Sequence, residues 1–557
     1  MASCATTVQA VFSKQQRLAV SGHCGEWREA GLVTNADRMI TLVNTTIGNG
    51  PRQTRLPATA APHAFAAGPL SRAGLVVLLL CSLAVCAQDL EFSATRVEVD
   101  FSKRLQPWDG FGFNYVETAQ TMDYARDPQE YGGFSLLQEE DRQRILDMVF
   151  GDDGLRVGLL KMFLDPFHQT EPGGAFDHET STRWLRYFAR EGLKRARGAG
   201  RDLTIITTLY GPPAYMTKQK VLRGRDLDPA HQRDLARYLV DWIKFLRERE
   251  GLPVKYVSLH NEGEDWFRWT ATGLTDHKGH DYNLFWPPEQ VVALIKIVAE
   301  ALKAAGLTDV GVTPGETTNW YRWDTWGYAD ALGDDGEALR LVGLITSHGF
   351  YAGGYGRWFG EHKSAGIDKL REKRPDLHAW VTSTSWSQMD AKNIKEHHGN
   401  IYTAKVNGII PWAGIQRPPK WVGGDPNPGS AFTVREDGTY EVRRGYWFYK
   451  QVTRAGQPGT AVARASAMDS EIAVMAFASN GTRHPDALVL VNLGKTRKVN
   501  VRVKGSAASA FSAFRTTEDQ KELFARAGTL VLTDGALVCE LPGGSVTTLF
   551  GEGNQKP

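Results

Sequence analysis

The chain has 557 residues, a formal net charge of +2 and 23% charged residues. That length implies two folded domains, and the charge balance gives no basic face that would point to nucleic acid. Of five cysteines, Cys4, Cys24, Cys81 and Cys86 precede residue 88, so only Cys539 remains beyond it and no internal disulfide can form there.

Residues 1–69 show no sustained periodicity and read as an unstructured leader, upstream of the expected start of translation. Residues 70–87 read as a secretory signal peptide. Arg72 precedes an apolar run from Leu75 to Val85, and Val85-Cys86-Ala87 offers small residues before Gln88. The run is too short for a comfortable membrane span. The expected product is secreted or periplasmic, of bacterial type, with no membrane attachment after cleavage. A lipoprotein anchor at Cys86 fits poorly, because Val85 stands just before it.

The alternating stretch Leu90–Phe101 reads as a strand, within an N-terminal segment 88–107. Strand and helix signals then take turns. Trp108-Asp109-Gly110-Phe111-Gly112-Phe113-Asn114 is a first strand with closely spaced glycines. Arg156–Leu164 is a second strand, with Arg156 expected to point inward, and Trp184–Gly198 is a helix. Leu203–Tyr210 precedes a Gly-Pro-Pro turn, and Leu235 to Leu246 marks one face of a long helix. Tyr256–Glu262 is a fourth strand, followed by a helix at Pro287–Ala305 opened by two prolines. Strands at Val310–Glu316, Leu344–Tyr351, His378–Trp386 and Gly408–Ile415 follow, with helices at Ile367–Lys373 and Ala391–Asn407.

Eight strands alternating with helices imply a (β/α)8 barrel over 108–440. After a last barrel helix, residues 441–557 carry short strands at Ile472–Ala478, Leu488–Leu493, Val499–Val503, Thr529–Leu532, Ala536–Leu541 and Val546–Phe550. These describe an antiparallel β-sandwich that the strand at Leu90–Phe101 is expected to join.

Chemistry in such a barrel gathers at the carboxyl ends of the strands. Those ends form a ring of Asn114, Asp165, Tyr210, Asn261, Glu262, Glu316, His348, Tyr351, Ser383, Trp386 and Trp412. Glu262 is placed for acid/base work, and partial burial is expected to raise its pKa toward neutrality. Sixteen tryptophans, whose flat faces stack on sugar rings, point to a carbohydrate groove. Its walls are expected to be Glu264, Asp265, Trp266 and Trp269 after Glu262, together with Trp320, Trp323 and Trp326. No Cys/His cluster at zinc spacing, phosphate-binding loop or dinucleotide fingerprint occurs, so no metal or other cofactor is expected.

These residues resemble clan A retaining glycoside hydrolases, most closely family 30 and its galactocerebrosidase-like relatives. The matching pieces are Asp109-Gly110-Phe111-Gly112, Arg142-Gln143-Arg144-Ile145-Leu146-Asp147 with Gly154-Leu155-Arg156, and Gly211-Pro212-Pro213-Ala214-Tyr215-Met216. Further matches are Asn261-Glu262, Ser347-His348 and Gly544-Ser545-Val546-Thr547-Thr548-Leu549, so the likeness spans roughly residues 90 to 550. The resemblance implies Glu262 as general acid/base and Asn261 as a partner of the sugar 2-hydroxyl. Tyr210, His348, Tyr351, Trp386, Trp412, Trp266, Asn114 and Arg156 are expected to bind substrate.

One departure stands out. The family pattern places a second glutamate at the end of the seventh strand, where Trp380-Val381-Thr382-Ser383 puts Ser383. Retention requires two carboxylates about 5–5.5 Å apart, and a serine carries no charge to attack with. Three readings follow: a nucleophile replacement that leaves a glycan-binding barrel with slow or no turnover, a relocated carboxylate (Glu316, Glu264 or Asp265) in an inverting reaction, or a nucleophile supplied by the substrate. The expected function is that of a secreted, monomeric glycoside hydrolase on a β-linked oligo- or polysaccharide. A carbohydrate-binding pseudoenzyme is the alternative, and a purely structural surface module is disfavoured by the tryptophan-rich ring. N-terminal sequencing of exported protein is expected to begin at Gln88; a start before it overturns the signal-peptide assignment.

Overall fold

A computed structural model describes residues 96–118, 130–275, 282–350, 363–417 and 429–553. The leader, the signal segment 70–87, residues 90–95 of the first strand and Tyr351 lie outside them. The barrel is built from β2 (Gly110–Asn114), β3 (Leu159–Leu164), β4 (Thr204–Leu209), β5 (Val254–Ser258), β6 (Gly311–Thr313), β7 (Glu316–Thr317), β8 (Ile345–Ser347), β9 (Ala379–Thr384) and β10 (Gly408–Pro411), preceded by β1 (Arg96–Pro107). All neighbours pair in parallel, in the order β6-β5-β4-β3-β2-β10-β9-β8-β7. Parallel pairing follows from the helices between strands, which cover the outer face and bury both sides of the sheet.

Nine segments make eight strand positions, because the expected strand Val310–Glu316 is broken at Pro314-Gly315. Its first half pairs with β5 and its second with β8, and the bridges Asn261 to Glu316 and Val312 to Val342 close the ring. Gly315 permits the break: it has φ 112°, and a Cβ there would lie 2.1 Å from the His260 ring. Gly112 meets a different constraint, the tight interior, where a Cβ would come within 2.6 Å of Ile410 and 2.8 Å of Leu159. Asp109 joins the two sides of the β2 seam, accepting from His378 Nδ1 at 2.7 Å and Trp380 Nε1 at 2.6 Å.

After a small sheet of β11 (Ile415–Gln416), β12 (Phe432–Val434) and β13 (Tyr440–Val442), the second large sheet runs β19-β18-β21-β16-β15-β14-β1-β17-β20, where β14 is Ala461–Ala467, β15 Ile472–Ala478, β16 Ala487–Asn492, β17 Arg497–Lys504, β18 Ala510–Thr517, β19 Ala525–Val531, β20 Ala536–Leu541 and β21 Ser545–Glu552. It is antiparallel except that β1 runs parallel to β17. β1 sits between β14 and β17, with Val97 opposite both Ala467 and Val501. Strands β14 and β18 were not evident in the sequence, because alanine, serine and threonine weaken their alternation.

The helix Arg444–Ala455 joins barrel and sandwich. Its Tyr449 hydroxyl donates to Gly112 O at 2.7 Å, and Gln451 Nε2 donates to Thr516 Oγ1 at 2.9 Å. Beside it Trp108 is buried against Phe111 and Phe477, with ring centroids 4.9 and 5.4 Å away, and its Nε1 donates to Gly456 O at 2.9 Å. Cys539 is buried, and no helix among the described residues is long and apolar enough to cross a membrane. Trp108→Ala is expected to lower stability by about 3–5 kcal/mol through the cavity it leaves, read as a lower denaturant midpoint.

Candidate active site

The carboxyl ends of the strands hold a continuous chain of charge. β3 reads Leu-Leu-Lys-Met-Phe-Leu and is buried throughout, so Lys161 projects into the barrel with no solvent. Its ammonium donates to Glu316 Oε2 and, at 2.8 Å, to Ser383 Oγ, and lies 4.4 Å from the Phe163 ring centroid. Glu316 also accepts from Thr208 Oγ1 at 2.6 Å and faces His348 Nε2 at 3.1 Å. The other imidazole nitrogen, Nδ1, lies 2.8 Å from Glu262 Oε1. Arg268 closes the chain, donating to Glu262 Oε2 at 2.9 Å.

A histidine with a carboxylate on each nitrogen donates twice only as the imidazolium. Burial disfavours that charge, but hydrogen bonds to Glu262 and Glu316 outweigh it and raise the His348 pKa. Burial likewise pushes Glu316 up, yet Lys161 and His348 bring it down to about 2. Glu262 follows the same logic: burial is overcome by His348 and Arg268, and its pKa falls below the ordinary carboxylate range. The expected rise toward neutrality is therefore reversed, because two cations grip the carboxylate.

Backbone geometry holds these groups. Glu262 N donates to Glu316 O at 2.7 Å, and Glu316 N donates to His260 O at 2.9 Å. Glu262 and Ser383 have φ of 45° and 82°, conformations that cost non-glycine residues energy and cluster at functional sites. Glu262 remains 17% exposed, whereas Glu316 is fully buried.

The other residues expected at the site divide. Asn114, Tyr210, Asn261, Trp386 and Trp412 are buried at strand ends. Phe163 stands 4.5 Å from Tyr210 and 6.1 Å from Trp412, and Trp386 Nε1 donates to Trp412 O at 2.6 Å. Neither side-chain amide atom of Asn114 has a partner among the described residues. Trp266 and Phe267 are exposed and stacked at 3.9 Å, an aromatic ledge on the turn that carries Arg268.

Three expectations are corrected. Arg156 is not in the ring: it precedes β3 at the amino-terminal end of the barrel, five residues before Lys161, and pairs with Asp152 at 3.8 Å. Trp320 and Trp323 do not wall a groove but are buried on the helix Trp320–Thr325, and Trp269 is buried too, its Nε1 donating to Arg223 O at 2.7 Å. Glu264 is buried, and its Oε1 accepts from Thr318 N at 2.8 Å and Arg322 Nη1 at 3.0 Å. Lys161, Thr208 and Arg268 were missed. Only Lys161 left a sequence signal, a lone cation inside an apolar strand. Among the described residues no group of His, Cys, Asp and Glu has metal-holding geometry.

No family model and no curated protein matches the chain. Among solved structures, it is similar to the catalytic domain of the GH30 xylanase C from Talaromyces cellulolyticus, with TM-score 0.62 and 18% identity over 82% of this chain and 100% of that one. It is also similar to a GH30 endoxylanase from Clostridium papyrosolvens C71 (TM-score 0.58, 17%, covering 82% and 100%) and to an endo-β1,6-glucanase (0.60, 17%, 83% and 95%). The barrel with its attached sandwich is thus shared with family 30 structures.

The charge chain sets a pH window. Glu316, depressed in the fold, contributes stability that is present above the ordinary glutamate pKa of about 4.3 and lost as pH falls through about 2. His348, raised in the fold, contributes stability present below about 6.5 and lost as pH rises through its folded pKa. Denaturant unfolding across pH is expected to show a maximum between about pH 4.5 and 6.5, with an acid loss on the order of 3 kcal/mol from Glu316 that Glu316→Gln removes.

Proposed function

We propose, from the fold shared with family 30 glycoside hydrolases, that the protein binds a β-linked glycan at the carboxyl end of its barrel and acts on it through Glu262. The observation that carries this is the contrast between Glu262, part-exposed at the mouth, and Ser383, which accepts a hydrogen bond from a lysine. Glu262 is the proton-transferring carboxylate; Asn261, Tyr210 and Trp412 position the sugar, His348, expected to do so too, orients Glu262 instead, and Trp266 offers a stacking face.

Ser383 is a poor nucleophile here. Its oxygen faces an ammonium already paired with Glu316, so no base is available to take its proton. Glu316 is a poor replacement, because an imidazole stands between it and Glu262 and keeps the two beyond the about 5–5.5 Å of a retaining pair. Sealed by Lys161, Thr208 and His348, it is also badly placed to hold an attacking water. A missing carboxylate at position 383 further removes the negative field that would raise the Glu262 pKa for acid catalysis. Such a cleft binds glycan and turns it over slowly. Export through the segment 70–87 and action as a monomer complete the proposal.

Aryl β-glycosides with good leaving groups need no general acid, so they isolate the nucleophile's part. Their slow turnover is expected to rise with added azide, and by a factor on the order of 10² or more in Ser383→Glu. Glu262→Gln in that background should abolish action on natural glycans. If Ser383→Glu gains nothing while Glu316→Gln destroys a native activity, the inverting route holds instead. Absence of any β-glycan binding sinks both.

A further inference from the structure

Arg156 belongs to a second cluster, at the opposite end of the barrel. A cavity of about 240 Å³ lies there between barrel and sandwich, lined by Arg156, Arg454, Gln457 and His484 together with Phe514, Phe524 and Phe550. An engineered cavity of about 150 Å³ accepts benzene, so a substituted six-membered ring fits this volume.

Positive charge is in excess around it. Among the described residues, Arg156, Arg201, Arg454 and Lys450 share the charges of Asp152 and Asp153, and Arg483 adds a further cation beside them. Asp152, 65% exposed, is shared by Arg156 at 3.8 Å and Arg201 at 3.5 Å. The Nε atoms of both arginines are buried without a hydrogen-bond partner among the described residues, and the Arg201 side chain is only 9% exposed. Arg454 and Arg201 spend donors on the carbonyls of Asp152 and Phe150, which tethers the loop without neutralising anything. Arg156 is held at φ 55°, a strained setting for an arginine.

The phenylalanines of the lining pack on one another. Phe514 and Phe524 stack at 5.0 Å, Phe550 meets Phe514 edge-on at 5.8 Å, and Lys450 lies 4.9 Å from the Phe524 centroid. Gln457 adds an acceptor: it is 3% exposed, its Nε2 donates to Thr453 O at 2.6 Å, and its Oε1 has no partner among the described residues. A bare anion leaves that oxygen unmet, whereas an anion that also carries a hydroxyl satisfies it.

We propose that this cavity binds a hydroxylated six-membered ring bearing a carboxylate or phosphate, with the acid on Arg156 and Arg454, a hydroxyl on Gln457 and the ring against the phenylalanines. Guanidinium groups are suited to both anions, since their paired donors match two acid oxygens. The site is separate from Glu262 and independent of the action proposed there.

His484 reports on it. Burial, followed by Arg156, Arg483, Arg201 and Arg454, brings its pKa down to about 4, and an anion among those arginines must raise it. Glucuronate and glucose 6-phosphate, titrated separately into the full chain at neutral pH and low salt, are the probes, followed by calorimetry and by the imidazole NMR signal of His484. Saturable binding of either is expected, with a raised His484 pKa, and the one that binds identifies the acid. Arg454→Gln and Phe524→Ala should each weaken it roughly tenfold or more. No saturable binding of either compound at millimolar concentration overturns the proposal, as does binding unchanged in both variants. So does saturation without a shift at His484, which is read on unmutated protein and does not depend on a variant folding.

Discussion

Lys161 sits in the barrel interior with no access to water, and the site is arranged around neutralising it. An isolated ammonium there would cost several kcal/mol, so Glu316 pairs with it, Thr208 and His348 complete the carboxylate's bonds, and His348 in turn requires Glu262. Each member is charged because its neighbour is. The backbone adds a second tie, since Glu262 N and Glu316 O bond across the seam where the broken strand closes the barrel. The acid at the mouth and the ion pair beneath it are one mechanical and electrostatic unit.

This unit explains why the position of Ser383 matters. A carboxylate there would share Lys161 with Glu316 and place negative charge near Glu262. With a hydroxyl, the local balance is one ammonium, one imidazolium and one guanidinium against two carboxylates, a net positive surrounding that keeps Glu262 ionised. Under the proposed glycosidase action, a hydroxyl at this position bears on both halves of a double displacement: no group attacks, and Glu262 holds its proton less readily.

The amino-terminal end of the barrel follows a different rule. There positive charge is in excess, with Arg201 and Arg454 held on carbonyl oxygens beside a cavity lined in part by phenylalanine. The helix Arg444–Ala455 links this end to the sandwich, so Arg454, Gln457 and the Tyr449 contact to Gly112 all depend on how the two sheets dock. Asp109 has a comparable part. Its motif resembles a family signature, yet its carboxylate binds Trp380 and His378 and holds β2 to β9, which makes it a structural clamp.

Much of this was legible in the chain itself. Alternating strand and helix signals located all eight barrel positions, and Asn261-Glu262 stood out as polar chemistry at the end of an apolar strand. The serine at 383 was visible as a departure from a pattern. These are local properties, set by side-chain period, turn residues and strand order. What the sequence could not show was partnership: Lys161 meets Glu316 across 155 positions and Ser383 across 222, and nothing in the periodicity of either segment encodes that meeting. Trp320 and Trp323 looked like groove walls until packing buried them, and Arg156 seemed inward until the strand's direction put it at the far end. Sequence determined which groups stand at which strand end; only closure of the barrel decided which of them share a proton, because charge states in a dry interior depend on neighbours that the chain brings together from far apart.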